Sequence, residues 1–174
     1  GKWHSGEDHQ VAIADRFITW GWLDRRPSIY PGLVLTNVGK RSGTWKANGT
    51  LLLVTTAIRS QSYKSLPWPT GANQAESYLK EQTQFVEGLT APIRSSLVLR
   101  LNRQQDRRMR SGFYDRLSRA YQDVQMDDSA GHIEARIREC RLFVYACNST
   151  GFLETLARNV PTVIFWNPAY FELR

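Results

Sequence analysis

From residue 50 onward the apolar positions of this chain alternate between two patterns. Short strand-like stretches built on apolar residues occur at 51–56, 96–101, 123–126, 142–147 and 162–166, the clearest unbroken run being Leu142 to Ala146. Runs of this kind mark strands buried on both faces, as in a parallel sheet. Between them the apolar residues recur at helical spacing. Ala75, Tyr78, Leu79, Gln82, Phe85, Val86 and Leu89 give a helix over residues 73–88. Phe113, Leu117 and Ala120 give one over 112–121, and Ile133, Ile137 and Cys140 one over 130–140 that Asp127-Asp128-Ser129 would cap. A fourth starts near Thr150 with Phe152, Leu153, Leu156 and Ala157 inward; Asn159 stops it and Pro161 prevents its continuation. The order β-α-β-α-β-α-β-α-β predicts an α/β fold: a Rossmann-like parallel sheet with helices on both faces and strand order 3-2-1-4-5.

The first 49 residues carry weaker patterns. Val11, Ala12, Ala14, Phe17 and Ile18 suggest a short helix, and Leu33-Val34-Leu35 a weak strand among turn signals. Residues 1–49 therefore read as a segment leading into a domain at 50–174. Gly1-Lys2-Trp3-His4 is no signal peptide, and the end at Arg174 falls inside a helical pattern. The reading expects a fragment whose missing N-terminal domain is needed for activity.

Composition narrows the class. At 41% hydrophobic the chain can build a core, and no apolar run approaches a membrane span. The net charge of +7 suits a phosphorylated ligand, an anionic membrane surface or nucleic acid, with arginines concentrated between Arg94 and Arg119. No nucleic-acid-binding motif accompanies the charge, so no nucleic-acid partner is expected. Cys140 and Cys147 are expected to be buried thiols in a reducing cytoplasm. There is no Gly-x-Gly-x-x-Gly and no Gly-Lys-Ser/Thr loop, which argues against a dinucleotide dehydrogenase and a P-loop ATPase. His4 and His9 lack the spacing of a helical metal pair, so neither a metal nor a cofactor is expected.

The most informative stretch runs from Arg141 to Trp166: strand, polar turn, helix, strand. Asn148, Ser149, Thr150 and Gly151 open the helix with unpaired backbone N–H groups and two hydroxyls, a combination that attracts phosphate. Glu154, about one turn in, can accept hydrogen bonds from sugar hydroxyls. The structural alternative stays open, in which Ser149 or Thr150 is only a helix cap and Glu154 completes a capping box.

These residues carry a resemblance. Trp3-His4, residues 12–22, Leu51 to Thr55, Phe85-Val86-Glu87, Leu99-Arg100-Leu101, and Asn148 to Ala157 with Val160 to Pro168 resemble a family of bacterial transferases linked to surface-polysaccharide synthesis. That family is similar to GT-B glycosyltransferases, whose two Rossmann-like domains face each other across a cleft. The resemblance implies that this chain supplies the donor-binding half, with a nucleotide-activated sugar as donor and a glycan or lipid-linked acceptor. It assigns Ser149, Thr150 and Gly151 to the diphosphate, Asn148 to the donor site and Glu154 to ribose or sugar hydroxyls. Thr55, Thr56 and Arg59 would face the phosphates, and Arg100 would face the same cleft. His4, His9 and Asp15 remain as candidates for the base that activates the acceptor. The implied location is the cytoplasm or the periphery of the inner membrane. One departure is the loop Asn102-Arg103-Gln104-Gln105-Asp106, where relatives tend to carry Pro or His. A module that binds a nucleotide or anionic glycan without chemistry is the competing reading.

Overall fold

The computed structural model describes residues 5–19, 21–32, 39, 46–56, 75–101, 115–127, 130–147 and 150–168. The chain divides into two compact units, residues 1–41 and 42–174.

In the first unit, α1 (Ser5–Ile13) precedes β1 (Phe17–Thr19) and β2 (Ile29–Pro31), which pair in parallel with Phe17 opposite Ile29. The expected helix through Phe17 and Ile18 is therefore corrected: it ends at Ile13. Phe17 and Ile18 have the β-branched and aromatic side chains that favour a pleated strand. The chain leaves β1 through Gly21, whose φ of +115° only glycine adopts readily, and the Gly21 N–H donates to Thr19 Oγ1 at 3.2 Å. The expected strand at 33–35 lies outside the described residues.

The second unit contains β3 (Thr50–Val54), α2 (Ala75–Glu87), α3 (Ala91–Arg94), β4 (Leu97–Arg100) and the helical residues 115–120, here α4. It continues with β5 (Gln125–Asp127), α5 (Ile133–Glu139), β6 (Cys140–Tyr145), α6 (Thr150–Ala157) and β7 (Thr162–Ile164). The five strands form one parallel sheet in the order β5-β4-β3-β6-β7, the predicted 3-2-1-4-5.

Strand alternation builds two cores. Leu51, Leu53, Leu97, Leu99 and Val144 share one with Tyr78 and Val86 of α2 and Leu117 of α4. Leu52, Val54, Val98, Phe143 and Tyr145 share the other with Ile137 of α5 and, at its edge, Phe152 of α6. Both faces of the central strands are covered, so their sequences show no polar alternation.

Several boundaries differ from expectation. Ala120 is exposed, and α4 holds the core by Leu117. Asp123 and Val124 form a turn, and the strand shifts to 125–127. Asp127 lies in that strand and does not cap α5, which starts at Ile133 after an uncapped His132. Cys140 is the first residue of β6, so helix passes into strand without a linker. The α6 stop is as expected: Asn159 takes φ +57°, its N–H donates to Leu156 O, and the Val160 N–H donates to Thr155 O, both at 3.0 Å. That pair of bonds is a complete Schellman motif, with asparagine in the place usually held by glycine.

Candidate functional site

In a sheet of parallel strands every carboxyl end lies on one edge. Beyond β3 stand Thr55 and Thr56, beyond β4 Leu101, beyond β6 Ala146 and Cys147, and beyond β7 Phe165 to Asn167. From β3 the chain moves outward to β4 and β5, then returns to place β6 on the other side of β3. The connections therefore diverge between β3 and β6, and open α/β sheets bind ligands in the crevice at such a reversal. Thr55, Thr56 and the first turn of α6 flank it.

The strand end is tightly held. The Thr55 N–H donates to Arg100 O at 3.1 Å, and the Thr56 N–H donates to Tyr78 Oη at 2.8 Å. Thr55 and Thr56 are both buried. Burial pushes the Tyr78 phenol well above its usual range, with Cys147 nearby adding to the effect, so it stays a neutral hydroxyl. Burial likewise pushes the Cys140 thiol up to about 11, which leaves it protonated and unreactive at neutral pH.

Arg100, 6% exposed, donates from Nη1 to Asp127 Oδ2 at 2.7 Å and from Nη2 to Gly131 O at 2.6 Å. Arg136 Nε donates to the same carboxylate oxygen at 3.0 Å. Two guanidiniums thus share one carboxylate at the carboxyl end of β5, and both terminal nitrogens of Arg100 are committed within the protein.

Gly151 sits in the first turn of α6. A Cβ there would stand 2.9 Å from Tyr145 Cζ and 3.1 Å from its Oη. The tyrosine ring, itself stacked on Phe143 with centroids 5.7 Å apart, fills the space a side chain would need. The position is glycine so that the helix start can close onto Tyr145. Gly151→Ala is therefore expected to destabilise the protein by about 1–3 kcal/mol through overpacking. Adding Tyr145→Leu should recover part of that loss, whereas Tyr145→Phe, which keeps the ring, should not. Urea denaturation of the four proteins reads this directly.

Of the other sequence candidates, Glu154 is half-buried on α6. His9 on α1 and Asp15 just after it are exposed, both in the first unit. His4, Arg59, Asn148 and Ser149 lie outside the described residues, as does the side chain of Thr150. Among the described residues no group of three His, Cys, Asp or Glu side chains could hold a metal ion, and no helix is long and apolar enough to cross a membrane.

Sequence reasoning missed the polar roles of Tyr78, Asp127 and Arg136 and the packing of Tyr145 against Gly151. Tyr78 and Tyr145 read as ordinary apolar positions, and Asp127 as part of a cap signal. A family model described as LIC12162 family transferase matches residues 1–174, the whole chain. No curated protein and no solved structure matches it.

Proposed function

The chain belongs to the LIC12162 family of transferases, and from that membership we propose that it serves a glycosyltransferase of GT-B type. Residues 42–174 would bind a nucleotide-activated sugar, to be transferred to a glycan or lipid-linked acceptor in surface-polysaccharide synthesis at the cytoplasmic side of the inner membrane. The observation that carries this reading is the reversal of connections between β3 and β6, with the N-terminus of α6 beside it.

In this reading the donor's diphosphate lies at the start of α6, where Gly151 presents a backbone N–H group and the sequence places the hydroxyl residues Ser149 and Thr150. A leaving diphosphate gathers negative charge as the glycosidic bond breaks, and N–H donors fixed in advance stabilise that charge. Thr55 and Thr56 carry the end of β3 to this edge, and Asn148 and Arg59 are assigned to the donor from the sequence alone. Arg100, clamped by Asp127, braces the neighbouring strand and adds positive charge at the edge. Glu154 accepts hydrogen bonds from ribose or sugar hydroxyls. His4, His9 and Asp15 are the sequence candidates for the base that takes the acceptor's proton.

A thermal-shift screen of the chain with UDP, GDP, CDP, CMP and dTDP tests the reading, since a ligand bound only to the folded state raises the midpoint. One nucleotide is expected to stand out, and no response to any of them would count against a donor site. With that nucleotide, Glu154→Gln should weaken binding about ten- to a hundredfold by calorimetry, the loss of one charge-assisted hydrogen bond. Unchanged affinity together with a lowered melting temperature would make Glu154 a helix cap only.

A further inference from the structure

Gln82 is fully buried, and neither its Oε1 nor its Nε2 has a hydrogen-bond partner. Buried amides almost always find one. Gln82 lies one turn after Tyr78 on the inward face of α2. Thr55 faces the same layer: Leu51 and Leu53 pack there with Tyr78, and strand alternation carries the pattern to residue 55. Thr55 Oγ1 is also buried without a partner. Tyr78 Oη accepts the Thr56 N–H, which leaves its own proton to donate. Phe85, three residues after Gln82 on α2, stacks on Phe165 with centroids 4.9 Å apart.

We propose that Gln82, Thr55 Oγ1 and Tyr78 Oη bind an internal water that ties α2 to the carboxyl end of β3. The chemistry is complementary. Gln82 offers an acceptor and two donors, Thr55 a hydroxyl that does either, and Tyr78 a donor. An internal water requires two to four polar partners, and this layer supplies three. The three partners are themselves uncharged, which suits a water. The water gives Gln82 a positioning role, because it fixes the strand end that carries Thr55 and Thr56. The inference stands apart from the identity of any donor.

Two measurements test it. A crystal structure of the chain, at a resolution that shows ordered solvent, should place a water within hydrogen-bond distance of Gln82 and Thr55. A dry layer, or a Gln82 amide bonded directly to protein groups, overturns the proposal. In parallel, Gln82→Leu, Thr55→Val and the double variant are compared by thermal denaturation. Each single change should lower the midpoint by about 3–8 °C. The double variant should lose clearly less than the sum, because both changes remove the same bridged group. Additive losses, or a midpoint that rises with Gln82→Leu, also overturn it. If Gln82→Leu does not fold, the crystal structure decides alone.

Discussion

Asp127→Ala is expected to cost about 3–5 kcal/mol of folding stability, the range for removing one partner of a buried ion pair. Its side chain is only 3% exposed, and Oδ2 receives both Arg100 Nη1 and Arg136 Nε. Without the carboxylate, the buried Arg100 guanidinium keeps only Gly131 O and the charge has no counterion. The arginine that suffers is Arg100, because Arg136 can turn towards water: its side chain is 38% exposed. Arg136→Ala should therefore cost no more than about 1 kcal/mol. Urea denaturation of both variants separates the two arginines, and adding salt should alter the Asp127→Ala difference little, since buried pairs are weakly screened. A loss below about 1 kcal/mol for Asp127→Ala would mean the cluster is solvated and not structural.

Gly49→Ala should be comparably severe, about 3 kcal/mol, at the upper end for overpacking. A Cβ on Gly49 would lie 2.7 Å from Arg141 N and 2.8 Å from Cys140 C, and it would also collide with Glu139 O. All three are backbone atoms at the junction where α5 becomes β6, so no rotamer change relieves the clash. The pairing of β3 with β6 already shifts register between Thr50 and Leu51, directly beside this contact. Gly88 provides the internal comparison. A Cβ there would meet nothing nearer than Gln84 O at 3.4 Å, and Gly88→Ala should be neutral or slightly stabilising. Equal melting temperatures for Gly49→Ala and Gly88→Ala would refute the steric account.

The sheet was legible because burial on both faces leaves a simple trace. Leu51 to Val54 and Leu97 to Leu99 are unbroken apolar runs, the pattern of strands covered by helices on both faces of a parallel sheet. Asn159 was legible for a local reason: asparagine before Val-Pro tolerates the left-handed turn that ends a helix. The first unit misled the reading because Phe17 and Ile18 follow a helix directly and fit its spacing, while their strand partner lies at Ile29 and Tyr30. Pairing across such a gap leaves no periodic signal. Asp127 misled for the converse reason. Asp-Asp-Ser before an apolar helix is a strong cap pattern, yet a buried Arg100 on the adjacent strand claimed the carboxylate, and nothing local to Asp127 reports Arg100. The unpartnered polar atoms of Gln82 and Thr55 left no trace in the sequence, since one residue fits the spacing of a helix and the other follows a strand.

The strand order also bears on how the chain acquires its structure. β3 is made first among the five strands but sits at the centre, and its second edge pairs with β6, Leu51 lying opposite Leu142. Until β6 has been synthesised, the inner strand has an open edge, and the face carrying Leu52, Val54 and Val98 lacks Phe143 and Tyr145. Contacts so distant in sequence close slowly, because the loop entropy is lost before the pairing is gained. An unpaired apolar strand in the meantime is a template for other chains. Refolding yield should therefore fall as protein concentration rises, and chains truncated before Cys140 should aggregate where the longer chain folds.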